Sequence, residues 1–275
     1  MFGYQCPLCQ SPLSQAGGYW LCSNNHRFDC AREGYVNLLP VQFKRSKIPG
    51  DSLAMMQARR AFLDAGYYQK MRDRVMALIC ARQTPQPARW LDIGCGEGYY
   101  TSVLAELLTS RCADNQVYGL DIAKTAVRAA SKRYPRVNFC VASSQRLPFM
   151  DNALDGMLRI YAPCQPVEMQ RVLKPGSFVV TVAPGPRHLL QLKERIYPQA
   201  KLHPWKDEHM PGFSLAGEEQ LRFDMVLPGE AAGALLQMTP FAWRASQEAV
   251  NALIGLAEFP CETDFVIRVW RRDVD

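Results

Sequence analysis

The stretch Leu91-Asp92-Ile93-Gly94-Cys95-Gly96-Glu97-Gly98 decides how the rest of the chain is read. An apolar run of β character carries a carboxylate and opens into glycines at alternate positions, and Tyr99 to Thr109 then reads as a helix. The pattern predicts a strand, a tight turn and a helix N-terminus. Glycine serves where the backbone takes a positive φ or where a ligand comes closer than a Cβ permits. A helix start offers unpaired N–H groups to an anionic or polar ligand. An ordinary strand-to-helix turn has the same local look, so the flanking sequence decides what the loop holds.

Downstream, strand and helix patterns alternate. Val117 to Asp121 is a strand ending in a carboxylate, Ile122 to Arg133 a helix, Val137 to Val141 and Leu154 to Ile160 strands. A short helix, Pro166 to Leu173, meets the turn Lys174-Pro175-Gly176, and Phe178 to Val182 is the fifth strand. This alternation predicts a doubly wound parallel sheet, whose ligands sit at the carboxyl ends of the strands. A helix over 188–197 precedes residues 198–218, which are rich in Pro, His, Lys and Gly and read as a surface loop or lid. A strand (Leu221 to Leu227), two helices (230–238 and 246–256) and a last strand (Thr263 to Trp270) complete the domain.

Upstream, ten cysteines in 275 residues are unevenly spread, with Cys6, Cys9, Cys22 and Cys30 in the first thirty. Cys6-Pro7-Leu8-Cys9 is a knuckle, and Cys22-Ser23-Asn24-Asn25-His26 supplies a second pair. Two such pairs close a tetrahedron around Zn²⁺. Cys30 competes for the fourth place, and His26 is favoured because it forms a compact pair with Cys22. A segment this short has too few apolar residues to fold alone, so metal binding contributes its folding free energy, and four protein ligands make the site structural.

The composition, 48% hydrophobic and 21% charged, is that of a globular protein. No apolar run reaches a membrane span and the first residues lack the pattern of a secretory signal, which predicts a cytoplasmic protein without a membrane partner. The formal charge is +6. From Pro40 to Arg74, eight basic residues oppose three acidic ones, so net +5 lies in this one segment. It reads either as a solvated face or as a surface for a polyanion, with Lys44, Arg45, Lys47, Arg59 and Arg60 as the candidate phosphate contacts. Pro49-Gly50-Asp51-Ser52 marks a helix start, and Gly66 and the paired Tyr67 and Tyr68 separate two amphipathic helices.

Asp92, the glycine loop and Asp121 therefore belong to one predicted site. An acidic side chain at the end of the second strand accepts hydrogen bonds from ribose hydroxyls. Ser143, at the end of the third strand, is within reach of an adenine edge. The loop reads G-x-G-x-G and not G-x-G-x-x-G, which argues against a dinucleotide.

These residues resemble the class I S-adenosylmethionine-dependent methyltransferases, through LDIGCGEG, YGLDIAK and LKPGSFVVT. Over nearly the whole chain the sequence is more similar to bacterial 23S ribosomal RNA (guanine-N1)-methyltransferases. CPLC with CSNNH, EGYVNLLP, DSLAMMQARRAFLDAGYY, CVASSQRLPF, RIYAPC, APGPRHL and LLQMTPFAWRA carry that likeness. The resemblance implies an α/β fold with a mostly parallel seven-stranded sheet behind a small zinc-ribbon-like domain. The domains would be a zinc-binding, RNA-recognition module (1–35), a basic helical linker or lid (36–84) and a methyltransferase domain (85–275). It further implies one structural Zn²⁺ on Cys6, Cys9, Cys22 and His26, and S-adenosylmethionine held by Tyr68, Asp92, Gly94, Gly96, Glu97, Gly98, Asp121, Ser143 and His188. The expected reaction is methyl transfer to N1 of a guanine in a 23S rRNA hairpin loop, by a homodimer. The alternative is a small-molecule methyltransferase of the quinone or antibiotic type. Arg159-Ile160-Tyr161-Ala162-Pro163-Cys164 stands where amino-methylating relatives carry Asn or Asp before Pro-Pro and an aromatic residue, which argues against exocyclic amine chemistry. Tyr161 and Arg159 are the candidates for the base pocket, and Arg159 reads equally as a strand-end ion pair.

Overall fold

The computed structural model describes residues 3–43, 52–82, 86–205 and 207–274; Lys44, Arg45 and Lys47 lie outside them. A hairpin begins the chain: β1 (Leu13–Ala16), β2 (Tyr19–Cys22) and β3 (Arg27–Asp29) form a three-stranded antiparallel sheet. The next strand, β4 (Val36–Asn37), already belongs to the large sheet. Helices α1 (Leu53–Asp64) and α2 (Gln69–Cys80) follow. Ser52 caps α1 by accepting a hydrogen bond from the Met55 N–H at 3.2 Å, and Gly66, at φ +84°, turns the chain after it.

The doubly wound part then runs β5 (Arg89–Ile93), α3 (Tyr99–Arg111), β6 (Gln116–Asp121), α4 (Lys124–Arg133), β7 (Asn138–Val141), β8 (Leu154–Ile160), α5 (Pro166–Val172) and β9 (Leu173–Pro184). After α6 (Leu190–Ile196) come β10 (Phe213–Leu227), α7 (Gly229–Gln237), α8 (Gln247–Ile254) and β11 (Phe259–Arg272). Among the described residues the sheet has eight strands in the order β10-β11-β9-β8-β5-β6-β7-β4. Only β11 runs against the others, pairing antiparallel with β9 and β10. The strand order reverses between β5 and β8, and the crevice at their carboxyl ends is where such sheets bind ligands.

Alternation along the strands sorts side chains to two layers. Trp90, Leu158, Val180 and Ile267 point to the face covered by α1, α2, α3 and α7. Leu91, Ile93, Tyr118, Leu120 and Met157 point to the other, where α5 and the N-terminal hairpin lie. Tyr4 joins the two sheets: its ring is 4.9 Å from Trp20 and 5.7 Å and 5.4 Å from Tyr118 and Phe149 of the large domain. The small module is thus seated on the large one through a shared apolar cluster.

Three sequence expectations shift. The sheet gains an eighth strand, because β4 adds to β7 in parallel, Val36 opposite Cys140 and Asn37 opposite Val141. Residues 213–218 are the start of β10, so the loop ends at residue 212. Lys174-Pro175-Gly176 lies inside β9, in an irregular stretch where the ladder with β8 steps from Leu154 opposite Leu173 to Gly156 opposite Phe178; such an irregularity accommodates proline and glycine within a strand.

Candidate functional site

At the N-terminal hairpin, the ligand atoms of Cys6, Cys9, Cys22 and His26 all lie within 4.8 Å of one another. Cys9 Sγ is 3.6 Å from Cys22 Sγ, and His26 Nδ1 is 3.5 Å from Cys6 Sγ and 3.4 Å from Cys22 Sγ. A tetrahedron with Zn–S bonds of about 2.3 Å has edges of about 3.8 Å, so the four donors fit Zn²⁺. The His26 backbone N–H donates to Cys22 Sγ at 3.3 Å, a contact that orients this ligand. Cys30 is not among the four; its backbone bridges to Val36.

The second site lies at the carboxyl ends of β5 and β6. Asp121 holds the glycine loop in place: its carboxylate accepts the Gly96 N–H at 2.9 Å and the Ala123 N–H at 2.8 Å. Gly94 is needed because a Cβ would stand 2.6 Å from that of Ala162. Gly96, at φ +54°, has nothing within 4 Å of where its Cβ would be and borders a cavity of about 530 Å³. That volume is in the range of small-molecule and cofactor pockets. Asp92, Glu97, Asp121, Ser143 and Tyr68 also line it. Gly98 packs instead against the rings of Tyr134 and Phe139, where a Cβ would sit 2.9 Å and 3.1 Å away.

Asp92 is buried and accepts a hydrogen bond from Thr101 Oγ1 at 2.6 Å. Burial, with a smaller push from the neighbouring Asp121 carboxylate, raises its pKa to about 7. His188 does not reach the cavity wall. It sits behind it, with its Nδ1 accepting the Asp264 N–H at 3.2 Å and its ring 4.7 Å from that of Phe265. The proton is therefore on Nε2, which is 3.4 Å from the Tyr161 hydroxyl. Burial lowers the His188 pKa to about 3, so the ring stays neutral at ordinary pH. Tyr161 itself takes a left-handed backbone, φ +55°, uncommon for a residue with a side chain.

Helix α1 forms one wall of the cavity through Met56, Arg59, Arg60 and Leu63. Arg60 donates from Nε to Glu97 Oε2 at 2.8 Å and from a second nitrogen to Oε1, a two-pronged pair across the loop. The structure thus brings Arg59 and Arg60 to the cofactor side, beside Glu97. Counting charge along the sequence missed this, since it does not show which carboxylate a guanidinium meets. Arg159 makes the strand-end ion pair with Glu208 at 2.7 Å. A second cavity, about 690 Å³, adjoins the first across Tyr161 and Ala162 and holds Trp205, Glu208 and Arg268, residues that no sequence motif singled out.

Comparison with known proteins agrees with this geometry. Residues 4–47 match the zinc-ribbon family described as "RlmA, N-terminal", and residues 86–217 match a methyltransferase domain family. The chain is 32% identical to the 23S rRNA (guanine(748)-N(1))-methyltransferase of Streptomyces fradiae, over 93% of this chain and 90% of the relative. It is 28% identical to a Bacillus subtilis protein assigned as a 23S rRNA (guanine-N(1)-)-methyltransferase, over 96% of both. A Bacillus halodurans crystal structure assigned as a methyltransferase overlays with a TM-score of 0.50 at 16% identity, covering 74% of this chain and 99% of that one. That likeness concerns the fold. The cofactors are S-adenosylmethionine, matched by the open glycine cradle and the loop-anchored Asp121, and one structural Zn²⁺, matched by three thiols and an imidazole. With nearly its whole length aligned to such an enzyme, the chain belongs to the 23S rRNA (guanine-N1)-methyltransferase family.

Proposed function

We propose that this protein transfers a methyl group from S-adenosylmethionine to N1 of one guanine in a hairpin loop of 23S rRNA. The observation that carries the reading is the pairing, in one chain, of a seated Cys3His ribbon with the Asp121-anchored glycine cradle. A small-molecule methyltransferase would leave the ribbon without a role.

In this reading Cys6, Cys9, Cys22 and His26 hold the zinc. Asp121 accepts hydrogen bonds from the ribose hydroxyls. Ser143 meets the adenine edge. Gly94, Gly96, Glu97, Gly98 and Asp92 bound the methionine end, Gly98 by fixing the loop from behind. Tyr68 closes that end. His188 acts through Tyr161, orienting its hydroxyl from a neutral ring. When bound, the cofactor supplies an electrophilic methyl carbon on a sulfonium. The chain's part is to hold the two reactants in line, and such positioning is worth up to about 7–11 kcal/mol of barrier. N1 lies on the Watson–Crick edge, so the guanine must be unpaired and extruded, as a loop guanine can be.

The three units of the chain then divide the work. Residues 1–35 dock the RNA, 36–84 contribute phosphate contacts through Lys44, Arg45 and Lys47, with α1 as a lid, and 85–275 carry the chemistry. The protein acts in the cytoplasm as a homodimer whose two ribbons border a shared RNA cleft. Among the described residues no helix is long and apolar enough to cross a membrane.

Incubation with methyl-labelled S-adenosylmethionine, unmodified 23S rRNA and, separately, small-molecule acceptors tests the proposal. Label in the RNA supports it; label only in small molecules overturns it. Lys44→Glu with Arg45→Glu is expected to weaken RNA binding and flatten its salt dependence by about one unit of slope per lost phosphate contact. An unchanged salt slope would take this segment off the RNA path.

A further inference from the structure

Beside the cofactor cavity, the floor of the second cavity is a single row across three strands. The ladders place Arg159 of β8 opposite Thr181 of β9, and Thr181 opposite Arg268 of β11. All three therefore project from the same side of the sheet, at its ligand-binding end. Over this floor the segment after α6 brings in Trp205 and Glu208. The Glu208 carboxylate is held from two sides, by Arg159 at 2.7 Å and by Arg268 at 3.3 Å. Arg268 is buried and also meets Glu218 at 2.5 Å, so the base of the arrangement is fixed. Its guanidinium lies 5.8 Å from the centre of the Trp205 ring. Trp205 donates its indole N–H to Asp207 at 3.2 Å, which sets the ring plane, while nearly half of the residue stays accessible.

This set of groups has a specific complement. An indole face stacks on a planar base. A carboxylate accepts from paired N–H donors, and a guanidinium donates to a carbonyl oxygen. Guanine presents this combination on one edge: the N2 amino group and N1–H as donors, O6 as acceptor. Adenine and cytosine, with an amino group where guanine has O6, do not match it. Enzymes that act on an extruded base read it in this way, by stacking and by hydrogen bonds to its Watson–Crick edge. The cavity meets the cofactor cavity only at Tyr161 and Ala162, so a base seated in it faces the methyl donor across Tyr161.

We propose that this second cavity is the pocket for the acceptor guanine, with Trp205 stacking on the ring, Glu208 accepting from the N2 amino group and Arg159 donating to O6. The arginines on either side of Glu208 hold its carboxylate in place over the floor, which suits it to accept hydrogen bonds and so to select guanine. The same contact from Arg159 stabilises charge that develops on O6 as the N1 proton passes to solvent water and N1 takes the methyl group. The assignment rests on the guanine-N1 reading given above.

The test compares two RNA substrates, one with the target guanine and one with inosine, which lacks only the N2 amino group. Wild-type protein is expected to lose about 10- to 100-fold in kcat/KM on inosine, the size of one lost hydrogen bond to a charged acceptor. In Glu208→Gln that ratio should shrink to within about threefold, while binding of S-adenosylmethionine and Tm stay at wild-type values. Trp205→Ala should lower kcat/KM about tenfold or more, and Trp205→Phe should recover most of it, because stacking needs the ring and not the indole N–H. An unchanged guanine-to-inosine ratio in Glu208→Gln, or full activity in Trp205→Ala, overturns the pocket while leaving guanine methylation intact. Wild-type protein that binds the cofactor yet methylates no guanine would overturn the underlying reading, and the pocket assignment with it.

Discussion

The two sheets of this chain are ordered by different physics. In the large domain, strands such as β5 bury alternate residues on both faces: Trp90 on one and Leu91 on the other are at most 2% exposed. The apolar layers on each side stabilise the fold at roughly 25 cal/mol per Å² of buried apolar surface. The N-terminal hairpin has strands of three or four residues and few buried apolar side chains, chiefly Leu13, Trp20 and Tyr4. It is held by the Cys3His cluster and by Tyr4 seated against Tyr118 and Phe149. A small module can thus be rigid without a core of its own, provided that it borrows a metal and a neighbour's core.

The strongest way to break that comparison is to remove the metal. Chelation, or Cys22→Ser, is expected to unfold the hairpin, since structural zinc in small modules is worth on the order of 10 kcal/mol of folding free energy. Limited proteolysis should then cut within 3–37 while the sheet domain resists, and the far-UV signal of its helices should persist. Collapse of both units together would show that the sheet domain depends on zinc as well.

The two units also differ in their response to pH. Acid protonates thiolates and imidazole and releases zinc from the hairpin. The buried Asp92 works in the opposite sense. Its carboxyl titrates near 3.8 in the unfolded chain and at about 7 in the fold, so the native state holds the extra proton between those values. The stabilisation is fully present below about pH 4 and is lost as pH rises through 7, a change of about 4 kcal/mol from a shift of some three units. His188, lowered to about 3 by burial, contributes with the reverse slope below pH 6.5. The difference between wild type and Asp92→Asn isolates the aspartate: the substitution is expected to remove the decline in stability between pH 4 and 8. Chemical denaturation across that range measures it, and parallel curves for the two proteins would contradict the assignment.

The smallest effect is expected at Arg74 and Glu219, which join α2 to β10 at 2.6 Å with side chains 47% and 30% exposed. A pair this open to solvent is worth about 0–1 kcal/mol. A double-mutant cycle giving more than that would mean that surface charge, and not the apolar layers alone, ties α2 to the sheet.

Much of the architecture is legible in the sequence because its signals are local and repeated. The run from Leu91 to Gly98 and the βα alternation after it predict the sheet, and the spacing of Cys6, Cys9, Cys22 and His26 predicts a cluster that the structure brings together. What escapes such reading is pairing at a distance. β4 is two residues long, and its ladder with the distant β7 places it in the large sheet. The first third of β10, Phe213 to Gly217, is largely exposed because it edges the sheet, and a short stretch with a glycine and no apolar alternation reads as loop. Arg60 looks like part of a basic face until Glu97 is seen across from it. Glu208 carries no motif, and its place is set by Arg159 and Arg268, 49 and 60 residues away in sequence.

The central claim is that the cradle around Asp121 delivers a methyl group to N1 of a ribosomal guanine. Its most direct test is nucleoside analysis of 23S rRNA after a single-turnover reaction with methyl-labelled S-adenosylmethionine. The account predicts label in N1-methylguanosine alone, traceable to one unpaired guanine, and no label when that guanine is replaced by adenine. Label in any other nucleoside, or none despite bound cofactor, would contradict it.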